Sequence, residues 1–163
     1  HRTVLVDFDV RRPAVNRIFG LPLAPGLSEV IRDEFELREA LTQVGADLWV
    51  LPAGRGDSSS TIALANGASE HVLGDLRAEF EFVILDSSPL LAVTDTRFVS
   101  QHVDMVVLSV RRDHSSAPKL CAACEVLAAF GAQHVEAVVI GPAISHEDYK
   151  CKKEGAACLR SGA

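Results

Sequence analysis

Short apolar runs alternate along this chain with stretches of helical periodicity. Val4-Leu5-Val6 and Phe82-Val83-Ile84-Leu85 are unbroken apolar runs with polar residues on both flanks. A strand buried on both faces requires that pattern. On this basis strands are predicted over Thr3 to Phe8, Asp47 to Pro52, Phe82 to Asp86, Met105 to Val110 and Val135 to Ile140. Apolar residues at helical spacing predict helices over Pro13 to Phe19, Gly26 to Arg32, Glu36 to Val44, Ser69 to Phe80, Val93 to His102 and Ala117 to Gly131. Pro13 opens the first helix and Gly20-Leu21-Pro22 stops it. Ser58-Ser59-Ser60-Thr61, after the loop Ala53 to Asp57, reads as a further helix entry. Trp49, inside a strand, is expected in the core. The alternation predicts an α/β fold: a mostly parallel sheet of about five strands with helices on both faces. From residue 144 the pattern fails, which divides the chain into an α/β domain over 1–143 and a tail over 144–163.

The polar ends of the strands carry the chemistry. Ligands of open parallel sheets bind beyond the C-terminal ends of the strands. Asp7, Asp9 and Asp86 all fall there. Asp7 and Asp9 are two residues apart, so in extended backbone they point the same way. Two anions on one face need a cation between them, and a divalent metal, a lysine or an arginine such as Arg11 would serve. Alternatively, Asp7 caps the turn that follows it. Val83-Ile84-Leu85-Asp86-Ser87-Ser88-Pro89 is an apolar strand ending in Asp and a hydroxyl residue, the Walker B pattern in which Asp holds Mg²⁺ directly or through water. Mg²⁺ takes one or two carboxylates and keeps several waters, so such an edge suits it.

Charge and composition narrow the field. The net charge of −6 argues against a broad nucleic-acid surface, so no nucleic-acid partner is expected. The apolar runs fall short of the roughly 20 residues of a membrane-spanning helix. His1-Arg2-Thr3 leads straight into a strand, so no signal peptide is expected. Cys121 and Cys124 form a CxxC inside an Ala-rich helical pattern, and Cys151 and Cys158 are too widely spaced to complete a zinc site. The CxxC pair is expected to be small, buried helix residues.

Taken together, the motifs resemble those of the bacterial protein-tyrosine kinases, which belong to the deviant P-loop class related to MinD and ParA. Val4 to Arg11 is similar to the family's Walker A′ motif, three apolar residues and then DxDxR. Arg12-Pro13 with Phe19-Gly20-Leu21-Pro22, Pro25 to Val30, Leu48 to Gly54, Phe82 to Asp95 and Val107 to Arg111 resemble further family segments. The resemblance spans roughly residues 4 to 140. It implies a P-loop NTPase-like fold and ATP- and Mg²⁺-dependent phosphorylation of tyrosine, on the protein itself and on partners, in control of capsular or exopolysaccharide synthesis. It implies that Asp7 organises Mg²⁺ and activates the tyrosine hydroxyl with Asp9 beside it. Asp86 would be the Walker B metal residue, with Ser87 and Arg111 on the nucleotide. Arg11 would neutralise phosphate or orient Asp7. The implied partners are a polysaccharide co-polymerase-type membrane activator and protein tyrosine substrates, with homo-oligomerisation left open. The implied location is the cytoplasm, at the inner face of the membrane through a partner or another segment.

The sequence also departs from the family. No GxxxxGK[ST] loop occurs in the 163 residues. In the family that loop lies upstream of the Walker A′ strand, so the domain is expected to be N-terminally incomplete and inactive alone. The family's "VLNG" is Val139-Ile140-Gly141-Pro142 here, which removes a base-contacting Asn. The C-terminal tyrosine cluster is reduced to Tyr149, the one tyrosine in the chain and the candidate phosphoacceptor. A non-catalytic kinase-like interaction module and a MinD- or ParA-like ATPase therefore remain as alternatives.

Overall fold

The structure is a computed structural model and describes residues 1–65, 67–92, 95–112 and 114–141. β1 (Thr3–Asp7) is its central element. Its alternating side chains send Val4 and Val6 to one face, where both are buried. β3 (Leu48–Leu51) pairs in parallel on one side of β1 and β4 (Phe82–Asp86) on the other. A two-residue strand, β2 (Thr42–Gln43), adds antiparallel to β3 and completes a sheet of order β2-β3-β1-β4. β5 (Val106–Arg111) and β6 (Val135–Ile140) form a separate parallel pair.

Parallel neighbours cannot be joined by a tight turn, so helices fill the crossovers. They are α1 (Val15–Phe19), α2 (Leu27–Ile31), α3 (Leu37–Ala40), α4 (Ser58–Ala65), α5 (Ala68–Glu79), α6 (Asp95–Val99) and α7 (Ala117–Ala129). A 3₁₀ turn over Ser100–His102 prolongs α6. The core joins Val4, Val6 and Leu51 of the sheet to Leu27 of α2, Leu64 of α4 and Leu76 of α5. Trp49 packs at the edge of this core, edge-to-face on Phe80 with ring centroids 5.4 Å apart. The Arg2 guanidinium lies 5.1 Å from the Trp49 ring centroid.

Several expectations change. The helix predicted over Glu36 to Val44 stops at Ala40, and Thr42–Gln43 becomes β2. The hairpin closes through Val44 N–H and Gly45 N–H, both donated to Leu48 C=O, and this pairing overrides the local helical spacing. The described strands therefore number six in two sheets rather than about five in one. The CxxC residues were expected to be buried, yet Cys121 and Cys124 are both exposed and free. α7 turns Ala123 and Leu127 inward instead. An Ala-rich helix is apolar nearly all round, so its pattern does not single out the buried stripe. The tail over 144–163 lies outside the described residues.

Parts of both sheets are bare. Phe82 and Ile84, alternate residues of β4, are each about half exposed, and β6 is exposed at all six positions. Parallel strands are ordinarily covered on both faces.

Candidate active site

The β1–β4 pairing places the carboxylates. Asp7 and Asp86, each the last residue of its strand, are direct partners in the parallel register. The Phe8 N–H donates to Asp86 C=O at 2.7 Å and fixes that alignment past the strand ends. Partners in adjacent parallel strands point to the same face, with backbones about 4.8 Å apart. Two carboxylates therefore sit side by side at the C-terminal edge of the sheet.

Their environments differ. Asp7 is fully buried. Its Oδ2 accepts the Ala14 N–H at 2.9 Å and the Val15 N–H at 3.0 Å. Its Oδ1 accepts the Asp9 N–H at 3.3 Å. Asp7 thus closes the turn into α1, as one of the two sequence readings expected, and it does so from the strand edge where the other reading placed it. Asp9 Oδ1 accepts the Arg12 N–H at 3.0 Å, a turn inside the same loop. Asp86 is more exposed, and its carboxyl is pushed above the ordinary range, first by partial desolvation and then by the charges of Asp7 and Asp9.

That upward push is what a cation at this edge would relieve. Asp7 and Asp86 fit a hard divalent ion that takes one or two carboxylates and fills its remaining positions with water. They would be the residues to hold it. Among the described residues no cluster of three or more His, Cys, Asp or Glu side chains forms a fuller cage. Arg11 is exposed in the loop beside Asp9. Ser87 is exposed directly after Asp86. Arg111 stands apart: it ends β5, in the sheet that shares no strand pairing with β1 and β4. Its N–H donates to Ser115 Oγ at 3.0 Å. Tyr149 lies outside the described residues. No residue present supplies a GxxxxGK[ST] phosphate cradle.

Sequence reasoning passed over the support beneath this edge. Glu29, only 5% exposed, accepts the Gly26 N–H at 2.9 Å and the Arg55 N–H at 2.9 Å. Leu27 N–H and Ser28 N–H donate to Pro52 C=O and Ala53 C=O, at 2.7 and 2.9 Å. The segment Pro25 to Val30 and the segment following β3 are thus stitched together. A Cβ on Gly26 would lie 2.4 Å from both Gly54 N and Pro52 O. One added to Gly56 would lie 2.6 Å from Val10 O, directly beyond Asp9. The signal was available as Gly26 followed three residues later by Glu29, the spacing of a helix N-terminus with a returning carboxylate.

No protein-family model matches the chain. It is 29% identical to the tyrosine-protein kinase ptk of Acinetobacter johnsonii over 68% of its own length and 15% of that protein. It is 24% identical to the putative tyrosine-protein kinase CapB of Staphylococcus aureus, over 85% of this chain and 61% of CapB. The kinase domain of the Escherichia coli tyrosine kinase ETK superposes with a TM-score of 0.83 at 23% identity, covering 89% of this chain and 57% of that one. By sequence and by fold, the chain is similar to the bacterial tyrosine-protein kinases. The fold is P-loop NTPase-like and is shared with the MinD cell division protein of Aquifex aeolicus, at a TM-score of 0.67 and 19% identity over 92% of this chain and 59% of that one. The chain spans less than two thirds of the length of either kinase relative. Among the described residues, no helix is long and apolar enough to cross a membrane.

Proposed function

We propose that this chain forms the Walker A′ and Walker B half of an ATP- and Mg²⁺-dependent protein tyrosine kinase. It would act on itself and on partner proteins in control of capsular or exopolysaccharide synthesis. The observation that carries this reading is the direct pairing of Asp7 with Asp86 at the C-terminal edge of the sheet. Similarity to named tyrosine kinases supports it over a MinD-like ATPase.

In this reading Asp7 and Asp86 hold the metal, which when bound offsets charge on the transferring phosphoryl group. Asp7, with Asp9 beside it, also accepts the proton of the tyrosine hydroxyl. Arg11 meets phosphate, and Ser87 and Arg111 serve the nucleotide. Tyr149 is a candidate acceptor. The bare apolar face of β4 supports the expectation that this half-site works with a phosphate-binding loop from residues outside these 163. A polysaccharide co-polymerase-type membrane protein is the proposed activator, acting at the inner face of the membrane.

The test is to read the codons upstream of His1 and assay the extended chain with ATP and Mg²⁺. The expected result is a GK[ST] loop within about 40 residues, roughly one βαβ unit, and phosphotyrosine on the product. Absence of that loop overturns the proposal. ATP hydrolysis without phosphotyrosine would favour the MinD-like alternative. A non-catalytic module is favoured if the extended chain binds no Mg-ATP in a calorimeter.

A further inference from the structure

The loop that Asp7 and Asp9 hold in place forms one wall of an open groove of about 460 Å³, lined by Arg12, Pro13, Asn16, Arg17 and Leu23. Two guanidiniums face one groove on a protein whose net charge is −6. Two arginines elsewhere are answered by acids: Arg32 pairs with Glu29, Glu34 and Asp57, and Arg38 with Glu79. Here no carboxylate among the described residues does so. Arg17 Nη2 donates only to Pro13 C=O, at 2.8 Å, and the Arg12 guanidinium has no hydrogen bond or ion pair among the described residues. The carboxylates closest in sequence are committed to the loop's own amides, Asp7 to Ala14 and Val15 and Asp9 to Arg12.

Resting on the kinase reading above, we propose that this groove docks the acidic residues flanking the target tyrosine, so that Arg12 and Arg17 select acidic tyrosyl peptides. Three features point to a peptide. The volume lies in the range of ligand clefts and is far larger than a single phosphate needs. Pro13 and Leu23 give the groove an apolar wall, which a bare anion would not use. The groove also adjoins the loop of Asp7 and Asp9, where the tyrosine hydroxyl would be activated. The Arg fork suits a carboxylate bidentately. The chain itself carries a segment of this class, because Tyr149 directly follows Glu147 and Asp148.

The experiment is fluorescence anisotropy of a labelled peptide of residues 144–150 with the 163-residue chain, at low ionic strength and without nucleotide. The peptide should bind saturably and weaken as salt is added. A peptide with Glu147→Gln and Asp148→Asn should bind about tenfold more weakly, as should the Arg12→Ala/Arg17→Ala protein, since two charge pairs are lost in each. Both arginines are exposed, so the folded state should tolerate their replacement. Equal binding of the neutral peptide, unchanged binding by the double variant, or no binding overturns the proposal. No nucleotide or phosphoryl transfer enters this measurement, so its failure and the failure of the kinase assay are separate results.

Discussion

Replacing Asp7 separates its two roles. In Asp7→Ala the Ala14 and Val15 amides lose their acceptor, and a buried side chain is truncated. A hydrogen bond to a charged group contributes about 1.5–3 kcal/mol, so losing the two short ones costs about 3–6 kcal/mol. Domains of this kind are stable by about 5–15 kcal/mol, so the Ala variant should be barely folded. Asp7→Asn keeps one oxygen for the two amides and loses the charge and the longer contact to the Asp9 N–H. Its cost should be about 1–2 kcal/mol, partly offset because Asp86 loses a neighbouring like charge. Urea titrations followed by circular dichroism give both values, and matching slopes would show that midpoints report stability. The Asn variant should remain folded and, in the kinase reading, be inactive. If Ala and Asn both cost less than about 1 kcal/mol, the carboxylate does not hold the loop and the geometric argument fails.

Two further outcomes follow from the support beneath the site. Gly26→Ala places a Cβ 2.4 Å from two backbone atoms that have no freedom to withdraw, so it should lower stability by about 3 kcal/mol or more in thermal or urea unfolding. Little change would show that α2 can shift. The Asp57 carboxyl is held well below the ordinary range by Ser59 Oγ, then by the Ser60 N–H and hydroxyl. A depressed folded-state value stabilises above the ordinary value of 3.8 and is lost as pH falls below it. Asp57→Asn should therefore be less stable than the parent at pH 6, with the gap closing as pH falls below 4 in parallel melts; a constant gap would refute the assignment.

The strand ends were legible because burial on two faces forces a continuous apolar run, and only a site or a cap tolerates Asp at its end. Hence Asp7, Asp9 and Asp86 could be marked, although their partners could not. Asp7 binds amides seven and eight residues ahead, a distance set by how the loop folds back. β2 was hidden because a two-residue strand has no periodicity of its own. Glu29 was hidden for the opposite reason: a charged residue on a short helix reads as solvated, and only the approach of Pro52 to Arg55 buries it. The exposure of Cys121 and Cys124 was unreadable in a helix whose small residues all look alike.

The interlock between Gly26 and Gly54 constrains how this chain can be altered or borrowed. The two glycines lie on separate segments: a Cβ on Gly26 would run into the backbone of Pro52 and Gly54, and a Cβ on Gly54 would run into the Glu29 carboxylate. A chimaera that takes the segment around Gly26 from one kinase and the segment after β3 from another keeps the joint only if Gly26, Glu29 and Gly54 are all retained. The two short motifs are in effect one inheritable part, and a library that varies Gly26, Glu29 and Gly54 independently breaks the joint between them.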